Sequence, residues 1–225
     1  MTDSTDTLTL SGAIRRGAIG LGLFAVFTAG LIAATQQWTA ERIANNQRAF
    51  EAQTLLALVP EEQHDNQLLD TAFSTQLPTL TDTDLLRLPE PADWYQAKLN
   101  NEVVAVILPL VAPEGYTEAI RLIMAVDRSG TLLGVRVTAH RETPGLGDQV
   151  ELSKSDWILN FDGQSLSQPP LENWQVKKDG GAFDQLTGAT ITPRAVVRAV
   201  ARGLQFFERN RAVLLSLNPT EAEAS

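Results

Sequence analysis

Residues 17–35 read GAIGLGLFAVFTAGLIAAT, nineteen positions without a charge. At ~1.5 Å per residue a helix of this length reaches roughly 28 Å, close to the ~30 Å hydrocarbon core of a bilayer. A run like this constrains the whole chain, because every residue after it must fold on one side of a membrane. Arg15 and Arg16 flank its N-terminal side and Trp38 stands where an interfacial aromatic belongs. The positive-inside bias then leaves residues 1–16 as a cytoplasmic tail, residues 17–37 as the span and everything after about residue 40 outside. Small residues such as Ala33 and Ala34 would also suit the end of a cleaved signal peptide. The apolar run exceeds the usual ~7–15-residue hydrophobic region of such peptides, which favours a retained anchor in contact with the lipid bilayer. Residues 103–111 (VVAVILPLV) are apolar but too short to span, and read as a buried strand.

The 225 residues carry 18 Lys and Arg against 27 Asp and Glu, a formal charge of −9. That balance argues against nucleic acid as a partner, because phosphate binding needs a basic footprint. With two histidines and no cysteine, a zinc site, a cluster held by the chain's own thiolates, a thiol nucleophile and a disulfide scaffold are all disfavoured. No Gly-x-Gly-x-x-Gly fingerprint, P-loop or Gly-x-Ser-x-Gly elbow occurs. Redox chemistry would have to come from a borrowed cofactor.

The exported part predicts an α+β domain. Residues 38–58 continue as a helix that Pro60 ends. Residues 38–92 read as a helical connector, with no dominant period after Pro60. Residues 95–99 and 103–110 form a hairpin about Asn100 and Asn101, and residues 119–126 and 132–138 form a second about the turn Asp127-Arg128-Ser129-Gly130. A short amphipathic helix is expected over 152–161 and another strand over 174–178. The clearest helix follows Thr192, a good N-cap, with Pro193 at its first position. Its apolar face holds Val196, Val197, Val200, Leu204 and Phe207, and Arg194, Arg198 and Arg202 lie on another face. The domain is placed at 93–215, with an acidic tail at 216–225.

Two stretches carry the chemistry. The first is Asp184-Gln185-Leu186-Thr187-Gly188-Ala189-Thr190, just before the helix start. It offers two hydroxyls, Thr187 and Thr190, and two small residues between them that let a phosphate approach the backbone. The helix start supplies free N–H groups and a partial positive end for an anion, and Lys177 and Lys178 are candidates for further neutralisation. The bland reading is a Thr/Gly-rich loop before a capped helix. The second is His140-Arg141-Glu142-Thr143-Pro144-Gly145-Leu146-Gly147-Asp148. Pro144 and Gly145 make a type II turn, and Glu142 is placed to cap the loop or hold a ligand hydroxyl. In isolation a plain strand–turn–helix connection is the favoured reading of it.

Taken together, HxETPGLGD followed by DxxTGATxTP resembles the G subunit of the Rnf ion-translocating electron-transport complex, also called Rsx. The likeness extends over nearly the whole chain, including Gly115-Tyr116, Asp127 through Gly130, Ser155 through Ile158 and Trp174 through Gly181. It implies a periplasmic FMN-binding domain anchored in the bacterial inner membrane by one helix. FMN is expected as a phosphate ester on Thr190, attached by a flavin transferase that recognises Asp184, Thr187, Gly188, Ala189 and Thr190. Glu142, Thr143, Gly145 and Leu146 match the loop such domains set against the flavin, and Lys177 is carried as a phosphate candidate. The implied role is an electron carrier among other subunits of a complex that couples exchange between ferredoxin and NAD to ion movement. Glu118 departs from the family pattern, which favours a small residue there. The C subunit of the Na⁺-translocating NADH:quinone oxidoreductase shares the module and is the nearest rival, and a cofactor-free anchored assembly domain is the structural alternative. His140 reads as a turn residue rather than a general base, Trp157 and Trp174 as core aromatics or ring-stacking partners, and Arg194 as a candidate phosphate ligand.

Overall fold

The computed structural model describes residues 10–217, so the acidic tail from 218 and most of the N-terminal tail lie outside the described residues. Two compact units divide the chain between Glu51 and Ala52. The first is helical throughout its described residues, as the N-terminal part of helix α1, Leu10–Leu56. Within it Gly17–Ala40 is long and apolar enough to cross a membrane. Its large side chains Leu21, Leu23, Phe24, Val26 and Phe27 are all more than 60% exposed, as a lipid-facing surface requires.

The second unit is built on five antiparallel strands in sequential order: β1 (Ala72–Ser74), β2 (Asp93–Leu99), β3 (Glu102–Ala112), β4 (Ile120–Asp127) and β5 (Leu132–Ala139). The turn joining β2 to β3 uses Asn100 (φ 52°) and Asn101 (φ 65°), the pair of left-handed residues that a two-residue hairpin demands. Between β4 and β5, the Asp127 carboxylate accepts from the backbone N–H groups of Ser129 (2.8 Å) and Thr131 (2.9 Å) and so closes the turn.

Period-two alternation sends β3 residues to opposite faces. Val106, Leu108 and Leu110 join Leu122, Met124 and Val126 under helix α2 (Ile191–Ser216), which contributes Val196, Val200, Leu204, Phe206 and Phe207. On the opposite face Ala105 and Ile107 pack with Ala97, Ala125, Leu55, Leu58 and Val59. The sheet is therefore covered on both sides. The stretch after Pro60 that reads as a connector supplies β1, which pairs with β2, and buries Leu68, Phe73, Leu80 and Leu86.

Two expectations need correction. Residues 174–178 form no strand. Val176 makes only an isolated bridge to Phe183, and the 3-10 turn Lys177–Asp179 follows at once, because Gly180 and Gly181 reverse the chain too soon for a ladder. The helix expected over 152–161 shortens to a 3-10 segment, Asp156–Phe161, N-capped by Ser155. Trp157, Phe161, Trp174 and Phe183 pack ring on ring there, with centroids 4.8–6.2 Å apart. Both tryptophans are buried core residues and not members of the cleft described below.

Candidate functional site

The long connection from β5 to α2 returns its two ends to the same place. Its first few residues form the Thr143–Gly147 turn and its last few the box before α2. Tyr116, from the β3–β4 loop, completes a cleft of about 480 Å³ lined by Glu142, Thr143, Leu146, Gly147, Gly188, Ala189, Thr190, Ile191 and Thr192. The volume falls within the roughly 300–1,000 Å³ range of small-molecule sites.

The turn is built around one oxygen. The backbone N–H groups of Leu146, Gly147 and Asp148 converge on the Thr143 carbonyl at 3.1–3.4 Å. Gly145 at φ 76° supplies the left-handed position of the type II turn read from Pro144-Gly145. Leu146, 41% exposed, thereby projects into the cleft opposite Ile191, 45% exposed, and Tyr116, 66% exposed. The backbone of Gly188 runs so close to Leu146 that a Cβ there would lie 2.9 Å from Cδ2.

Glu142 joins the walls. Its carboxylate is buried, accepts the N–H of Thr117 (3.0 Å) and takes a short hydrogen bond from the Thr192 hydroxyl. The expectation that Thr192 caps α2 is thus corrected: the helix begins at Ile191, Thr190 occupies the cap position, and the Thr192 hydroxyl turns to Glu142 instead. Pro193 sits third in the helix, where a missing N–H still costs nothing. Helix α2 is 26 residues long, so the free N–H groups and partial positive charge of its first turn face the cleft beside Thr190.

The remaining expected residues separate by position. Thr190 lines the cleft and is half-buried, whereas Thr187 is exposed and outside the lining. Asp184 and Lys177 also stand outside it, as an ion pair of 2.6 Å with both side chains 57% exposed. Arg194, the candidate phosphate ligand, makes a bidentate pair with Asp179 at 2.5 Å. The guanidinium holds the Asp179 carboxyl below its ordinary value, and Asp179 raises Arg194 in turn. Arg198 faces Glu114 at 3.4 Å, and Arg202 is partly buried with its guanidinium on the Val111 carbonyl, so the arginine row is not a uniformly solvated face. Glu118 pairs with Arg141 at 3.2 Å. Tyr116, Gly147, Ile191 and Thr192 line the cleft without standing among the expected ligands; the sequence signal for Tyr116 was its place in the Gly115-Tyr116 match.

A second cavity, about 340 Å³, lies among Ala52, Leu56, Glu61, His64 and Asp65. It gathers none of the motif residues and is smaller. The cleft at Thr190 is the better site on both counts.

The lining suits a flavin phosphate: the apolar side chains of Leu146 and Ile191 and the Tyr116 ring share the cleft with the Thr190 hydroxyl, which stands at the N-terminus of α2. The fold and cleft define a membrane-anchored FMN-binding-domain protein. A family model described as FMN-binding domain matches residues 115–205, and one described as RnfG N-terminal region matches residues 4–58. The chain is 51% identical over 207 residues to the G subunit of the ion-translocating oxidoreductase complex of Pseudomonas aeruginosa (strain UCBPP-PA14), covering 92% of this chain and 94% of that protein. It is 46% identical to the protein of the same name from Shewanella loihica (91% and 94% covered) and 41% to that from Vibrio cholerae serotype O1 (94% and 99% covered). The chain belongs to the family of G subunits of ion-translocating oxidoreductase complexes.

Proposed function

We propose that the protein is a membrane-anchored electron carrier that holds FMN as a phosphate ester on Thr190 and works inside an Rnf-type complex. The observation that carries this reading is that Thr190, alone of the two box threonines, lines the cleft formed by the 142–147 turn and the start of α2. When bound, the flavin supplies reversible electron acceptance and release, and the protein supplies attachment, orientation and electrostatics. Thr190 provides the hydroxyl for the tether. The first-turn N–H groups of α2 stabilise the phosphodiester anion. Leu146, Ile191 and Tyr116 offer apolar surface to the ring, and Glu142 keeps turn, loop and helix in register.

The likeness to these G subunits supports other subunits of such a complex as partners, with ferredoxin and NAD as the electron couples that the complex connects. Residues 4–58, matched as one N-terminal region, include the whole apolar run, which favours a retained anchor over a cleaved leader. Arg15 and Arg16 before that run favour a cytoplasmic N-terminus and a periplasmic flavin domain in the inner membrane. Exposure of Asp184, Thr187 and Gly188 leaves the box open to a flavin transferase.

The test is in-gel flavin fluorescence after denaturing electrophoresis of the chain co-produced with such a transferase. A fluorescent band that persists in Thr187→Ala, weakened, and vanishes in Thr190→Ala supports the tether. A band surviving in Thr190→Ala refutes it.

A further inference from the structure

The cleft wall is held from behind by a residue that does not line it. The His140 side chain is only 9% exposed, and both ring nitrogens are engaged. Nδ1 accepts the backbone N–H of Glu142 at 3.0 Å, and Nε2 lies 2.5 Å from Oε1 of Glu151. A backbone N–H can only donate, so Nδ1 is the bare nitrogen and the ring proton sits on Nε2, directed at the Glu151 carboxylate. Glu151 in turn accepts the Ser153 hydroxyl at 2.8 Å. The acceptor of the Glu142 N–H is therefore fixed by a tautomer that a carboxylate selects.

The backbone at Glu142 matters because three parts of the cleft depend on it. The next residue is Thr143, whose carbonyl gathers the turn carrying Leu146. The Glu142 carboxylate reaches Thr117 beside Tyr116 and Thr192 in the first turn of α2. Space behind it is closed, since a Cβ on Gly147 would come within 2.9 Å of both Glu142 and Thr192. A small rotation at Glu142 would move all of these groups together.

Resting on the reading of the cleft as the flavin site, we propose that His140 is a positioning residue for that site: through Nδ1 it fixes the Glu142 backbone, while Glu151 holds the imidazole in the tautomer that leaves Nδ1 free to accept. His140 touches no cofactor atom in this role and acts only through Glu142.

Asparagine and glutamine separate the two halves of this device. The Asn side-chain oxygen falls near the position of Nδ1 and can accept the Glu142 N–H; the Gln side-chain nitrogen falls near Nε2 and can donate to Glu151 but leaves Glu142 unpaired. The experiment is a flavin-fluorescence titration with FMN on the full-length chain in detergent, carrying Thr190→Ala so that binding is reversible. His140→Asn is expected to bind within about twofold of the His140-intact chain, and His140→Gln about tenfold more weakly, the cost of one lost hydrogen bond. Equal affinity in all three chains, or a loss in His140→Asn as deep as in His140→Gln, overturns the inference. No saturable FMN binding by the His140-intact chain would instead overturn the cleft assignment, and this inference with it. A second readout needs no variant: a long-range ¹H–¹⁵N spectrum of histidine-labelled wild-type chain, which has only His64 and His140. A bare Nδ1 and protonated Nε2 on His140 is expected, and a proton on Nδ1 overturns the inference however the variants fold.

Discussion

Glu142 and Thr192, fifty residues apart in the chain, meet within the wall of the cleft, the Thr192 hydroxyl donating to the buried Glu142 carboxylate. Removing the hydroxyl leaves that carboxylate with the Thr117 N–H as its one remaining donor among the described residues. Thr192→Val keeps the shape and deletes the donor, so it is expected to cost about 1–3 kcal/mol, the range for a buried polar group left short of a partner. Thr192→Ser is expected to recover most of it. Chemical denaturation of the two variants checks the ordering, and a neutral Thr192→Val would show that the bond is not a structural link.

Two glycines in the turn are expected to respond to alanine for different reasons. At Gly147 the new Cβ would lie 2.7 Å from Glu142 Oε2 and 2.9 Å from Thr192 Oγ1, groups tied to each other and unable to give way together. At Gly145 nothing lies within 4 Å, but φ is 76°, so the penalty is the ~1–2 kcal/mol of a left-handed residue alone. Gly147→Ala should therefore weaken FMN binding strongly, whereas Gly145→Ala mainly lowers the unfolding temperature. FMN titration beside thermal unfolding distinguishes them, and equal binding defects would contradict the packing argument.

Lys177→Gln is expected to leave FMN affinity within about twofold, because Lys177 is occupied by Asp184 outside the cleft. Its effect on stability should stay under about 1 kcal/mol, as for other exposed ion pairs. A tenfold loss of FMN affinity would instead put Lys177 on the phosphate.

Acid should weaken the support behind the turn. The Ser153 hydroxyl first, and the His140 bond next, hold the Glu151 carboxyl below its ordinary value of 4.5. A carboxyl depressed in the folded state contributes stability that is complete above its unfolded value and is lost as pH falls through its folded value. The unfolding midpoint of the wild-type chain should therefore fall more steeply below about pH 4.5 than that of Glu151→Gln. Parallel curves for the two chains would contradict this.

Much of the sheet was legible because its signals are local. Asn100 and Asn101 demanded a tight hairpin, and Asp127 through Gly130 a second turn. The Pro144-Gly145 turn and the apolar stripe of α2 were readable for the same reason. What escaped were pairings set by the tertiary fold. Thr192 has the chemistry of a cap, but a buried carboxylate fifty residues away competes for its hydroxyl and wins. Lys177 and Arg194 have the charge of phosphate ligands, but their pairing with Asp184 and Asp179 is not written in the sequence. Residues 174–178 have strand composition, but the turn through Gly180 and Gly181 brings the chain straight back, and Val176 bridges only Phe183 among the described residues. His140 looked idle because its partner Glu151 lies eleven residues on, beyond any helical or strand period.

The tether at Thr190 is tested by the intact mass of the chain co-produced with a flavin transferase in the membrane, followed by peptide mapping. The expected result is a gain of one FMN less one water, located on Thr190. An unmodified mass from a transferase shown to be active on a known acceptor, or the same gain located on Thr187, would contradict it.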